Sequence, residues 1–213
     1  MTMHEQPPNN AKTIRKLKNF LITINADLIL IREKIEESDD LYSSFDKNQY
    51  DEIHYLIMAL EDRRYIRHCG IDWRSVVREF VKIIKGKKHG GASTIDMQMV
   101  RTITEFKERN FYRKLYESIL AFIINFKYSK RQIIDCYINN AFFGSHLYGI
   151  RKATKKCFKK YSIDELTLDE KAQLAAMLQI PRPLNPSITW EARLLTRARY
   201  AKSLWVRIKN SNN

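Results

Sequence analysis

The stretch IHYLIMALEDRRYIRHCGID, residues 53–72, decides how the chain folds. Ile53, Leu56, Ile57 and Leu60 recur at helical spacing, which predicts a helix over about residues 47–68. Glu61, Tyr65 and His68 then fall on one side near its end, because offsets of four and seven share a face. A carboxylate at the edge of an apolar face can have a raised pKa and serve as general acid or base. Taken alone, Glu61-Asp62 reads first as an exposed, charged helix end. Cys69-Gly70-Ile71 breaks the helix.

Downstream, Asp72 is a candidate N-cap for a helix to about residue 85, with Val76, Val77, Phe80, Val81 and Ile84 inward. Residues 86–92 (GKKHGGA) form a basic loop, and Ser93 or Thr94 caps a helix starting STIDMQMV. A long helix follows at about residues 111–128. Ser129 with Gln132, and Thr167 with Glu170, fit capping boxes for two more helices. Phe143-Gly144 marks a turn, residues 149–158 a helix, and Pro181, Pro183 and Pro186 an extended connector. A last helix covers about residues 190–208. Upstream, residues 1–10 are polar, residues 12–37 helical and residues 38–46 a linker. No strand or repeat is expected, and 6 Gly and 5 Pro among 213 residues agree with an all-α chain. The division is residues 1–45, a tail, helix and linker with membrane contact expected, and residues 46–213, a catalytic domain.

The formal charge is +14, and it is uneven. Residues 1–60 carry 7 Lys and Arg against 10 Asp and Glu; the remainder carries 31 against 14. A basic region of this kind wants phosphates or anionic headgroups. No groove-reading motif or aromatic stacking array accompanies it, so nucleic acid is not the expected partner. Three cysteines without CxxC spacing (Cys69, Cys136, Cys157) suggest neither a disulfide framework nor zinc. Residues 19–31 (NFLITINADLILI) are too short to span a bilayer and read as an amphipathic helix, with a weak anchor as the alternative.

A second feature is the run Gly90-Gly91-Ala92-Ser93-Thr94, preceded by Lys87, Lys88 and His89. Such a loop feeding a helix offers N–H groups to phosphate oxygens, although it lacks the ending of a nucleotide P-loop. In order, residues 61–72 (EDRRYIRHCGID), 90–101 (GGASTIDMQMVR), 113–118 (RKLYES), 129–144 (SKRQIIDCYINNAFFG), 149–160 (GIRKATKKCFKK), 166–178 (LTLDEKAQLAAML) and 183–186 (PLNP) resemble the five motifs of glycosyltransferase family 51, the peptidoglycan polymerases. The resemblance runs over residues 58–185.

It implies an all-α, lysozyme-like, two-lobed helical domain with a cleft. It implies a monofunctional enzyme joining lipid II units into glycan with inversion and release of undecaprenyl pyrophosphate. Glu61 matches the family's general base. Glu117 matches its second glutamate, which positions the leaving group or a divalent cation, Mg²⁺ or Mn²⁺. Arg101, Arg109, Arg113 and Lys114 fall at basic positions of the family. Ser93, Thr94 and Gln98 fall at polar donor-site positions, and Asp62, His68 and Asn139 complete the implied substrate-binding set. The implied partners are lipid II, the lipid-linked glycan, a membrane surface and other cell-wall synthesis proteins. The implied location is the cytoplasmic membrane, peripheral or weakly anchored, at its outer face.

The chain departs from the family at several points. Where the family reads STITQQ, Asp96 and Met97 replace the Thr and the first Gln. Where it reads Leu-Glu-x-x-x-Ser-Lys, residues 124–130 read INFKYSK and lose an acid. An added carboxylate near a pyrophosphate site is unhelpful unless a cation offsets it. These departures motivate an alternative, a relative that binds a polyprenyl-pyrophosphate glycan without efficient polymerisation. A lysozyme-like hydrolase is a further alternative.

Overall fold

The computed structural model describes residues 9–41, 50–86, 91, 93–105 and 111–212. Its helices are α1 (Asn9–Leu41), α2 (Glu52–Glu61), α3 (Trp73–Ile84), α4 (Ile95–Thr104), α5 (Phe111–Ile124), α6 (Lys130–Asn140), α7 (Ile150–Phe158), α8 (Leu168–Met177) and α9 (Ile188–Asn212). A short hairpin, β1 (Phe142–Gly144) and β2 (Leu147–Tyr148), lies between α6 and α7. The all-α, lysozyme-like expectation holds; the turn expected at Phe143-Gly144 is instead this hairpin, too short to leave an alternating pattern.

Helix α2 is the centre. Its residues from Ile53 to Leu60 are all buried, so apolar side chains surround the axis rather than one stripe. It packs against α8 and α9, while α4 packs against α1, α5 and α6. His54 of α2 meets Asp135 of α6 at 2.7 Å in the interior, and Asp135 also accepts from Arg131 at 2.7 Å. That bond ties the two helix groups together, because an unpaired buried carboxylate is strongly disfavoured. Both expected capping boxes form, at Ser129/Gln132 and Thr167/Glu170.

Three expectations are corrected. Helix α2 stops at Glu61 instead of running to His68. Asp62 leaves helical geometry (φ −157°, ψ 86°), and Tyr65–Arg67 form a separate 3₁₀ turn, so Glu61 and His68 do not share a helix face. Helix α1 continues through Ser38 to Leu41, where a linker was expected. The apolar face of α3 points outward: Trp73, Val77, Phe80 and Ile84 are 68, 60, 63 and 70 % exposed. Among the described residues α3 packs extensively against no other helix. Asp72 does start it, accepting from the Arg74 N–H and the Ser75 hydroxyl.

Gly70 shows how tightly the segment before α3 is seated. Its φ is +85°, and a Cβ there would lie 2.5 Å from the Ala121 carbonyl oxygen of α5. Gly70→Ala combines a disfavoured backbone with a clash that neither backbone can relieve cheaply. A loss of about 2–3 kcal/mol in denaturant unfolding is expected; unchanged stability would show that the two segments are not in contact.

Candidate active site

Glu61 ends α2 at the wall of a polar cleft of about 270 Å³, lined also by Asp62, Arg63, Arg64, Ser93 and Thr94. Its Oε2 accepts from Gln98 Nε2 at 2.9 Å, and its buried Oε1 has no hydrogen-bond partner of good geometry. Tyr137 explains the orientation of Gln98. Burial holds the Tyr137 phenol far above its ordinary range, so it stays protonated and donates to Gln98 Oε1 at 2.8 Å. The Gln98 amide nitrogen is thereby turned towards Glu61.

Burial raises the Glu61 pKa; Gln98, Gln179, Arg197 and Arg101 oppose that shift. Gln179 is itself held, donating to the Leu60 carbonyl at 2.9 Å and accepting from Arg197 Nε at 2.6 Å. The result is a carboxylate more basic than an exposed one, with one oxygen bonded to Gln98 and the other buried without a hydrogen-bond partner.

Glu117 sits in α5, fully buried, one turn from Arg113, whose Nε is 3.2 Å from Oε1. Burial raises its pKa as well, opposed by Arg101, Arg113 and Lys114. Arg101 is 4.0 Å from Glu117 Oε2, and its charge also favours the ionised form of Glu61. Lys114 is exposed. Two guanidinium groups already neutralise Glu117, and one carboxylate is too few to hold Mg²⁺ or Mn²⁺ on protein ligands. A cation would therefore reach Glu117 only with oxygens brought by a pyrophosphate.

Other expected site residues are placed differently. His68 is buried behind the cleft, with Nε2 2.9 Å from Asp62 Oδ2. Asp62 Oδ2 also accepts from the Ile95 N–H at 3.3 Å. Thr94 caps α4, accepting from the Met97 N–H at 3.2 Å and donating to the Gly70 carbonyl at 2.6 Å. These bonds occupy N–H groups expected to face a phosphate, so the start of α4 serves as a joint. Ser93 is half-buried on the cleft, and Asn139 is half-buried in the last turn of α6. Arg109, Lys87, Lys88, His89, Gly90 and Ala92 lie outside the described residues.

Neither sequence departure in STIDMQ faces the cleft. Asp96 is fully buried and paired with Lys130, and Met97 is buried with its sulfur 3.8 Å from the Ser118 hydroxyl. Tyr137, Gln179 and Arg197 were not singled out by the sequence, since only the fold brings α6, the segment after α8, and α9 to Glu61.

The pH dependence of any reaction using Glu61 follows from its surroundings. A raised carboxyl pKa puts the acid limb of a rate profile above that of an exposed Glu, since the base works only when ionised. Gln98→Leu removes the hydrogen bond opposing the shift, so the limb should move to higher pH. A limb that stays in place in a rate–pH profile would show that Glu61 is not the titrating group.

Comparison with known proteins gives a match to the transglycosylase family over residues 29–204. A penicillin-binding protein 1A of Rickettsia bellii is 37 % identical over 147 residues, 67 % of this chain and 18 % of that protein. A penicillin-binding protein 2a of Streptococcus pneumoniae is 38 % identical over 130 residues, 61 % of this chain and 17 % of that protein. A Cupriavidus necator protein carrying a transglycosylase name is 37 % identical over 130 residues, 61 % of this chain and 56 % of that protein. The chain thus spans less than a fifth of these penicillin-binding proteins and a little over half of the third relative.

Proposed function

The chain belongs to the transglycosylase family, and from that premise we propose that it polymerises lipid II, with Glu61 as general base. The observation that carries the reading is the Glu61 carboxylate at the wall of a polar cleft, one oxygen fixed by Gln98 and the other buried without a hydrogen-bond partner, with Arg101 paired to Glu117 and its charge felt at Glu61.

In this reading the acceptor sugar's 4-hydroxyl donates to Glu61 Oε1. The proton passes to the carboxylate as the hydroxyl oxygen forms a bond to the anomeric carbon of the lipid-linked chain. The bond from that carbon to the pyrophosphate oxygen breaks, the anomeric centre inverts, and both electrons leave with undecaprenyl pyrophosphate. Arg101 and Arg113 face the growing negative charge, and Glu117 holds these cations in place. A second reading, binding without polymerisation, drew on Asp96 and Met97; both turn away from the cleft, which favours the enzyme.

Purified protein given labelled lipid II should form glycan polymer, and Glu61→Gln should slow it by about 10²–10⁴-fold. Binding of lipid II without polymer from the wild type would favour the second reading.

The same proposal includes membrane contact. No described helix is long and apolar enough to cross a bilayer. Six large apolar side chains of α3 are exposed in part, each forgoing a share of the roughly 1.5–3 kcal/mol that full burial brings. Arg74, Arg78 and Lys82 lie on the same helix, and Leu17 and Leu21 of α1 and Phe126, in the turn after α5, are also exposed. An apolar helix face edged by cations fits an anionic bilayer surface. Phe80→Glu with Ile84→Glu should weaken binding to phosphatidylglycerol vesicles by about tenfold or more, with no loss of thermal stability. Equal vesicle binding would remove α3 from the contact.

A further inference from the structure

The two departures from the family pattern, an acid gained at 96 and one lost at 125, meet in space. Asp96 is fully buried, and both its oxygens lie 2.9 Å from Lys130 Nζ. Asn125 donates from Nδ2 to Asp96 Oδ1 at 2.9 Å, so Asn125 and Lys130 converge on one oxygen. A longer carboxylate at 125 would lie within reach of the same ammonium. Lys130 is largely enclosed, with its Nζ 4.4 Å above the Tyr65 ring, and a cation so placed needs an anion beside it. Against the family pattern, with Thr at 96 and Glu at 125, this chain has its one anion beside Lys130 on the first turn of α4.

The new position has a consequence for Glu61. From α4, Asp96 Oδ2 faces His68 Nδ1 at 3.9 Å, and that nitrogen has no hydrogen-bond partner. The other nitrogen of His68 is bonded to Asp62, the residue after Glu61, and Asp62 holds the Ile95 N–H. Helix α4 also carries Gln98, which fixes Glu61. Asp62, His68 and Asp96 lie close enough to suggest a metal site, but Lys130 and Asn125 already occupy Asp96.

We propose that Asp96–Lys130 is a transposed ion pair whose carboxylate, relocated from 125 to 96, positions Glu61 through His68, Asp62 and α4. The positioning claim rests on the reading of Glu61 as the base; the transposition does not. Asp96 is a positioning residue, because it does not face the cleft.

The test compares Asp96→Thr, Asn125→Glu and the double variant with wild type, by melting temperature and by lipid II kinetics. Asp96→Thr should lower the melting temperature by about 5 °C or more. It should lower kcat by about tenfold with KM within about twofold. The double variant should recover more than half of each loss, a rescue that a simple packing defect would not give. Should Asp96→Thr not fold, Asp96→Asn with Asn125→Asp carries the same comparison. A double variant that melts no higher than the Asp96 single variant overturns the transposition. Recovered melting without recovered kcat overturns the positioning role. Melting needs no substrate, so a wild type without polymerase activity sinks the functional reading while melting still decides the ion pair.

Discussion

The Asp62 carboxylate accepts from three directions: His68 Nε2 at 2.9 Å, the Ile95 N–H at 3.3 Å and the Arg64 N–H at 3.3 Å. It is the residue at which α2 stops, and it closes the start of α4. One side chain therefore fixes the end of the Glu61 helix against the helix that carries Gln98 and Arg101. Without that joint, the single Gln98 bond would be left to set the distance of Glu61 from α4. The interaction is local and short, yet it brings together residues 33 positions apart.

Around this joint two demands compete. A general base gains strength from burial, and burial disfavours its charge. The structure meets both by surrounding Glu61 with groups that favour ionisation without consuming its second oxygen. Gln98 takes one oxygen and is itself oriented by Tyr137; Gln179, just past the end of α8, and Arg197 of α9 also approach. Glu117 shows the opposite arrangement, a buried carboxylate held by guanidinium groups on either side. The two acids thus differ in their surroundings: Glu61 has an amide on one oxygen, whereas Glu117 has a guanidinium beside each.

The helices were legible where local chemistry decides them. Ser129/Gln132 and Thr167/Glu170 cap through their own side chains, so four residues suffice to place a helix start. The end of α2 was not legible, because it depends on Asp62 finding His68 and Ile95 across the fold. The α3 stripe showed that one face is apolar and said nothing about what covers it. Motif order located Glu61, Gln98 and Glu117, whereas the helpers Tyr137, Gln179 and Arg197 needed tertiary placement. The sequence also suggested that Asp96 crowds an anion site; its burial against Lys130 reverses that.

The central claim is that Glu61 Oε1 receives the acceptor hydroxyl while Arg101 and Arg113 face the departing pyrophosphate. A crystal structure of the full chain with a lipid II analogue tests it most directly. The account expects the 4-hydroxyl about 3 Å from Glu61 Oε1, with pyrophosphate oxygens on Arg101 and Arg113. An acceptor sugar bound away from Glu61, or a pyrophosphate held only by other residues, would contradict it.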